Sequence, residues 1–146
     1  MLKQRILTAI ILAPLVLACV FFLPVEYFQW FVALVLLLGG WEWANLSGLT
    51  NAGQRWSYAV LLAALLPLLL YFQYSSAVLL TVACLFWLLA LFLVRGYPGS
   101  AERWGSVRNR SLMGVVVLIP TWQALVTLKV LAPSGGLLLL LMLLVW

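Results

Sequence analysis

The sequence RGYPGSAERWGSVRNR, residues 95–110, decides the fold because it is a long polar stretch between two apolar runs. It carries Arg95, Arg103, Arg108 and Arg110, which are four of the eight basic residues of the chain. The hydrocarbon core of a bilayer excludes such a segment, since no water is present there to solvate it. Short loops rich in Lys and Arg stay on the cytoplasmic side of a membrane. The stretch therefore predicts a cytoplasmic loop that orients the helices on either side of it.

The composition predicts an integral membrane protein built of helices. The chain has 146 residues, of which 67% are hydrophobic and 8% are charged, and its mean hydropathy is +1.21. A soluble domain is about half apolar and about a quarter charged. No water-soluble fold of this size could bury so much apolar surface. We therefore expect an all-α, polytopic membrane protein.

The apolar runs predict the number of membrane crossings. Eighteen helical residues rise about 27 Å, which is close to the roughly 30 Å thickness of the hydrocarbon core. A run of ten residues reaches only about 15 Å. We expect five full transmembrane helices and a truncated sixth, in one helical region that continues in a longer protein. The predicted spans are residues 6–23, 27–44, 56–72, 76–94, 112–128 and, incomplete, 137–146.

The distribution of basic residues predicts the topology. With the N-terminus inside, seven basic residues are cytoplasmic and one is outside, which the positive-inside rule favours over the reverse. Loops 45–55 and 95–111 are then cytoplasmic. The cytoplasmic set is Lys3, Arg5, Arg55, Arg95, Arg103, Arg108 and Arg110, and the outer residue is Lys129. A basic N-terminus before an apolar run is also typical of a signal peptide, and residues 16–19 resemble a lipoprotein cleavage site. Here the apolar run continues past Cys19 to Leu23, which disfavours cleavage.

The net charge of +5 raises the question of a polyanionic partner. The basic residues lie between apolar runs and do not form a soluble basic patch, so we expect no nucleic-acid binding. Topology alone accounts for them, and contact with anionic lipid is a second interpretation.

Glu42 is the candidate for an intramembrane structural carboxylate. It lies near the end of the second predicted span, between Trp41 and Trp43 and after Gly39-Gly40, where helices can approach closely. One interpretation is a carboxylate inside the bundle that holds an arginine or a substrate group. The other is an interfacial glutamate within a belt of tryptophans.

Arg108 and Arg110 are the candidates for contact with a lipid phosphate. Guanidinium groups match phosphate oxygens, and lipid headgroups lie at the depth of this loop. In the alternative interpretation these arginines only fix the orientation of the helices in the membrane, which requires no ligand. The residues alone favour this second interpretation.

The remaining chemistry is limited by the residue types. The chain contains no His and no Asp, and its acidic residues are Glu26, Glu42 and Glu102. A Ser–His–Asp set, a zinc cluster and a grouped set of carboxylates for Mg²⁺ therefore cannot be assembled from it. Cys19 and Cys84 lie in separate apolar runs and predict no disulfide. We predict no catalytic and no metal-binding residue in this chain.

Several short motifs occur in one order along the chain, and the order is more specific than any one of them. They are Lys3 and Arg5 before the first run, Trp41-Glu42-Trp43 with Leu46-Ser47-Gly48, Tyr97-Pro98-Gly99-Ser100, Arg110 four residues before Gly114, and Pro120. In this order the whole chain resembles the N-terminal half of the bacterial phosphatidate cytidylyltransferase family, whose members are also called CDP-diacylglycerol synthases.

The resemblance implies a function for a longer protein. Members of that family join CTP to phosphatidate, giving CDP-diacylglycerol and diphosphate, with Mg²⁺ held by aspartates that this chain does not contain. We therefore expect this part alone to be inactive and to act as scaffold and lipid entry. A transporter or channel subunit and a small non-catalytic membrane scaffold are the alternatives. The sequence leaves open whether the protein forms a homodimer.

Overall fold

The structure is a computed structural model that describes residues 2–71, 75–131 and 135–145, with side chains for 10–71, 75–131 and 135–142. Most of these residues form helices, and no strand occurs among them. The all-α prediction is confirmed. The helices are α1 (Leu2–Phe22), α2 (Val25–Ser47), α3 (Ala52–Tyr71), α4 (Ser76–Arg95), α5 (Ala101–Trp104), α6 (Val107–Val130) and α7 (Gly135–Val145).

Local sequence determines where these helices begin and end. Asn51 caps α3, because its side-chain oxygen accepts a 2.9 Å hydrogen bond from the Gly53 N–H. Ser106 caps α6 in the same way, with its hydroxyl 3.2 Å from the Asn109 N–H. Gly48 ends α2 at a φ of 98°, a conformation that favours glycine. The structure thus starts α6 at residue 107, five residues before the predicted start at 112, and the loop after α4 is correspondingly shorter.

The lengths and compositions of the helices support the prediction of a membrane protein. Four helices are long and apolar enough to cross a bilayer, namely α2, α3, α4 and α6. In α1, the part with described side chains is a shorter apolar helix, Ile10–Phe22. The number of five full crossings, the incomplete sixth and the single helical region over 1–146 stay predictions.

Contacts divide the chain into two compact units. Unit 1 comprises residues 1–32 and 125–146, and unit 2 comprises residues 33–124, so α2 and α6 contribute to both. In unit 1, α1 packs against α7, where the Phe21 ring faces Gly136. The Lys129 ammonium donates a hydrogen bond to the Val20 carbonyl and lies 5.5 Å from the Phe28 ring centroid. Lys129 lies in the last turn of α6, and Gly135 and Gly136 begin α7.

Unit 2 has a core made by α2, α3 and α6. Every residue of α4 is described and none is buried, which is compatible with a helix that lipid surrounds. Gly40 allows α2 to approach α3, since a Cβ built there would lie 2.9 Å from Leu62 Cδ1. The buried apolar side chains of this unit are Leu36, Ala44, Ala59, Leu62, Leu66, Ile119 and Trp122.

Candidate functional site

The end of unit 2 at which α2 finishes and α3 and α6 begin contains most of the residues that the sequence singled out. The carbonyl groups at the end of α2 are bound in a standard helix-ending pattern. The N–H of Gly48 donates to Asn45 at 3.0 Å, and the N–H of Leu49 donates to Ala44 at 3.0 Å. This is the Schellman arrangement, which places Ser47 at the C-cap and turns the chain towards α3.

Two arginines bind further carbonyl groups at this helix end. Arg55 donates from Nε to the Leu49 carbonyl at 2.7 Å and stands 5.3 Å from the Trp41 ring centroid. Arg110 donates from Nη1 to the Leu46 carbonyl at 3.4 Å and from Nη2 to the Gly105 carbonyl at 2.5 Å. Cations are favourable at helix C-termini, where the unpaired carbonyl groups carry partial negative charge. Both arginines therefore stabilise the end of α2 in addition to any role in topology.

Two aromatic side chains bind the first turns of α6 from the neighbouring helices. The Trp43 indole, on α2, donates to the Arg110 carbonyl at 2.9 Å. The Tyr58 hydroxyl, on α3, donates to the Ser111 carbonyl at 2.7 Å. Both side chains lie against Gly114, where a built Cβ would collide with the indole and with the hydroxyl oxygen. This contact gives a physical reason for the spacing of Arg110 and Gly114 in the sequence.

The polar segment after α4 is folded on itself by side-chain hydrogen bonds. The Ser100 hydroxyl donates to the Leu93 carbonyl at 2.5 Å, and the Asn109 amide donates to the Arg103 carbonyl at 2.7 Å. Ser100 is buried and precedes α5, but its side chain makes no hydrogen bond to that helix. The side chain that caps a helix in this segment is that of Ser106, whose hydroxyl accepts from the Asn109 N–H at the start of α6.

The structure separates the two arginines proposed for phosphate contact. Arg108 is exposed and Arg110 is half-buried. Residues two positions apart in a helix are separated by about 200° around its axis, so the side chains of Arg108 and Arg110 leave α6 on different faces. A joint contact with one phosphate group is therefore not favoured by this geometry. Contact of Arg108 or Arg110 with a lipid phosphate stays a prediction for each residue separately.

Glu42 lies on the exposed face of α2, between two half-buried tryptophans. The neighbouring Ala44 is fully buried, so the helix turns Ala44 and not Glu42 towards the core of unit 2. The structure does not bring Glu42 together with an arginine among the described side chains of this unit. A role for this carboxylate inside a bundle stays a prediction.

Two cavities lie beside these residues in unit 2. The first has a volume of about 250 Å³ and is lined by Trp43, Leu46, Ser47, Trp104, Arg110 and Met113. We call it the Arg110 cavity. The second has a volume of about 340 Å³ between α4 and α6, and shares Trp104 and Met113 with the first. We call it the α4–α6 cavity; its walls are mostly apolar, with Arg103 and Asn109 as polar residues.

The described residues do not fit a metal site. No group of three or more His, Cys, Asp or Glu side chains comes together among them. The glutamates Glu26, Glu42 and Glu102 are each exposed, and Cys19 and Cys84 are free. Mg²⁺ binds oxygen ligands grouped around it, so no step of a reaction is assigned to a metal held by these residues.

Comparison with known proteins identifies the family. A family model described as "Cytidylyltransferase family" matches residues 3–146. The chain belongs to this family. No solved structure matches. The resemblance drawn from the ordered motifs is thereby confirmed at the level of the family.

Two curated relatives of this cytidylyltransferase-family chain carry the same name. It is 40% identical to the phosphatidate cytidylyltransferase of Pseudomonas aeruginosa over 146 residues, which is 100% of the chain and 54% of that protein. It is 36% identical to the phosphatidate cytidylyltransferase of Haemophilus influenzae over 115 residues, which is 71% of the chain and 40% of that protein. The chain spans about half the length, or less, of these relatives.

Proposed function

We propose that the protein containing this chain is a phosphatidate cytidylyltransferase, which converts CTP and phosphatidate to CDP-diacylglycerol and diphosphate. The observation that carries the proposal is the 40% identity over the whole chain to a relative of that name, together with the family match over residues 3–146. The apolar helices support it as well, since a lipid substrate is most accessible to a membrane protein.

The proposed reaction is a nucleotidyl transfer. A phosphate oxygen of phosphatidate attacks the α-phosphorus of CTP, a new P–O–P bond forms, and the bond to the β-phosphate breaks so that diphosphate leaves. Mg²⁺ supplies charge neutralisation of the triphosphate when bound, through carboxylates that this chain does not provide. The residues of this chain then position the helices and guide the lipid phosphate to the reaction.

The proposed orientation follows from where the two substrates are found. CTP is present in the cytoplasm and phosphatidate in the bilayer, so the reaction belongs at the inner surface of the bacterial cell membrane. Loops 45–55 and 95–111 then face the cytoplasm, as the positive-inside rule predicts. The exposed Arg108 lies at headgroup depth in this arrangement and attracts the anionic lipid.

The experiment is a lipid-labelling assay. Membranes from cells that overproduce the protein containing this chain are incubated with phosphatidate, Mg²⁺ and radiolabelled CTP, and the lipid fraction is separated. We expect label in CDP-diacylglycerol well above that of membranes from cells with an empty vector. Label at the empty-vector level, with the protein verified in the membrane, would refute the proposal and favour a transporter subunit or a scaffold.

A further inference from the structure

The end of α1 leaves a buried carbonyl group without a donor from its own helix. In an α-helix each N–H binds the carbonyl four residues earlier, and this series reaches the bond from the Leu23 N–H to the Cys19 carbonyl at 3.4 Å. The next carbonyl is that of Val20, whose partner in the series would be residue 24. That residue is Pro24, which has no N–H to donate. Val20 is only 3% exposed, so its carbonyl needs a donor from elsewhere in the protein.

Lys129, in the last turn of α6, supplies that donor. Its ammonium group donates a hydrogen bond to the Val20 carbonyl and lies 5.5 Å from the centroid of the Phe28 ring. The face of an aromatic ring attracts a cation within about 6 Å. Phe28 is 2% exposed, and its N–H donates to the Pro24 carbonyl at 2.9 Å in the first turn of α2. Pro24 therefore withholds a donor from the end of α1 and also helps to place the ring beside the ammonium.

The position of the ammonium matches the charge of the helix ends. The C-terminus of a helix carries partial negative charge. Lys129 lies in the last turn of α6, and its ammonium binds the last turn of α1, so one positive charge stabilises two helix ends. A lysine near the end of a membrane helix usually extends to water at the interface. Lys129 is instead half-buried and directed at a carbonyl, which a residue that only fixed the topology would not need.

This contact joins two parts of unit 1 that are far apart in the sequence. Unit 1 consists of residues 1–32 and 125–146, and Lys129 is separated from Val20 by 109 positions. Phe21, next to Val20, lies against Gly136 in the first turn of α7, where a built Cβ would be 3.2 Å from the ring. The last turn of α6 and the first turns of α2 and α7 therefore all meet the end of α1.

We propose that Lys129 is the C-terminal cap of α1 and latches unit 1 together. Its ammonium replaces the backbone donor that Pro24 lacks, so the lysine and the proline act as a pair. The predicted topology places one basic residue outside the membrane, Lys129, and the latch accounts for a positive charge at that place. The proposal goes beyond the proposed function and does not depend on it, since it concerns contacts within unit 1 alone.

The test is a double-mutant cycle on the purified protein that contains this chain. Lys129→Met removes the ammonium and keeps an unbranched side chain, and Pro24→Ala restores an N–H at residue 24. Two native thiols report on the two units separately, because Cys19 is half-buried next to Val20 in unit 1 and Cys84 is exposed in unit 2. Labelling with N-ethylmaleimide in detergent is followed at each cysteine by mass spectrometry, and thermal unfolding is measured in parallel.

Lys129→Met is expected to lower the unfolding temperature and to label about tenfold faster at Cys19, since a hydrogen bond from a charged donor shifts a local opening equilibrium by about that factor. The labelling rate of Cys84 stays at the wild-type value. In the Pro24→Ala background the same substitution has a much smaller effect, because residue 24 then has an N–H for the carbonyl. The matched control is Arg95→Met, which removes a charge from the last turn of α4 at an exposed position and is expected to leave the labelling of Cys19 unchanged.

Two results would overturn the latch. If Lys129→Met changes neither the unfolding temperature nor the labelling of Cys19, the ammonium stabilises nothing. If Lys129→Met causes equal losses with and without Pro24→Ala, the lysine does not replace the missing donor. Where Lys129→Met alone fails to accumulate in the membrane, the double variant decides, since recovery supports the latch and continued loss refutes it. None of these measurements involves CDP-diacylglycerol formation, so the latch and the proposed function succeed or fail separately.

Discussion

The indole of Trp43 lies directly against the backbone of Gly114, with its N–H bound to the Arg110 carbonyl at 2.9 Å. The Tyr58 hydroxyl reaches the next carbonyl, that of Ser111, at 2.7 Å across the same glycine. Three helices therefore meet at the first turns of α6, and they can do so because residue 114 has no side chain. This junction also forms one wall of the Arg110 cavity, since Trp43 belongs to its lining.

Gly114→Ala is expected to destabilise the protein. The added methyl group would collide with both Trp43 and Tyr58, so at least one of their hydrogen bonds must lengthen or break. Overpacking of this kind costs about 1–3 kcal/mol. The measurement is thermal unfolding in detergent, with a lowered unfolding temperature as the expected result. Gly39→Ala is the matched control, because a Cβ there would meet Leu118 at an ordinary 3.8 Å. Equal unfolding temperatures for the two variants would contradict the packing at Gly114.

Tyr58→Phe is expected to lower stability by about 1 kcal/mol, because it removes one hydrogen bond and little else. The bond lost is the one to the Ser111 carbonyl. Tyr27→Phe serves as the control, since Tyr27 is 66% exposed. Unfolding in a detergent titration gives both values. A Tyr58→Phe variant as stable as Tyr27→Phe would show that the hydroxyl contributes nothing to the junction.

The sequence predicted the helices of this chain well, and the reason is physical. Long apolar runs must form helices in a membrane to satisfy their backbone groups, so the runs at 27–44 and 76–94 identified α2 and α4 without further information. Their bounds were less certain, because capping depends on single polar residues. Ser100 and Ser106 are both plausible caps in the sequence, and only the backbone path shows that Ser100 instead binds the Leu93 carbonyl.

The candidate site was only partly predictable. Arg110 attracted attention as a basic residue, but its contacts with the Leu46 and Gly105 carbonyls depend on tertiary packing that no spacing shows. Ser47 and Trp104 carry no charge, and nothing in the sequence indicates that they line one cavity with Arg110. The sequence indicates how deep Glu42 lies in the predicted span. It does not show on which face of α2 the carboxylate lies, because that depends on which helices pack against Trp43 and Ala44.

Arg55→Gln is expected to destabilise the end of α2, whereas Arg95→Gln is expected to have little effect. Both changes remove one positive charge, so a general electrostatic effect would be the same for both. Arg55 binds the Leu49 carbonyl and stacks near Trp41, while Arg95 is exposed. We expect a loss of about 1–2 kcal/mol for Arg55→Gln and less than about 0.5 kcal/mol for Arg95→Gln. Thermal unfolding at high and low salt measures both, and similar losses in the two variants would contradict the cap.

Glu42→Gln separates two roles for this carboxylate. An exposed substitution that breaks no contact changes stability by about 0.5 kcal/mol at most, so we expect no shift in the unfolding temperature. If Glu42 holds an arginine or a substrate group outside the described residues, CDP-diacylglycerol formation falls while the unfolding temperature stays constant. The lipid-labelling assay with the unfolding measurement distinguishes these results. A clear loss of stability would instead show that Glu42 is packed inside the protein.

The orientation of the chain is tested by labelling single cysteines in intact cells. Cys19→Ala and Cys84→Ala remove the two native thiols of this chain, and any further cysteine of the protein that contains it is replaced in the same way. In this background Thr50→Cys and Ser106→Cys place a thiol in the two loops predicted to be cytoplasmic, and Glu26→Cys places one at the start of α2; all three positions are exposed. A reagent that cannot cross the membrane is expected to modify position 26 in intact cells.

Positions 50 and 106 are expected to react with that reagent only after the cells are opened. In the reverse orientation, seven basic residues would have to cross the membrane, whereas in the proposed orientation only Lys129 crosses it. Modification of position 106 in intact cells would reverse the proposed orientation. It would also place the loop that carries Arg108 and Arg110 on the side of the membrane away from CTP, so these arginines could not guide phosphatidate to the proposed reaction.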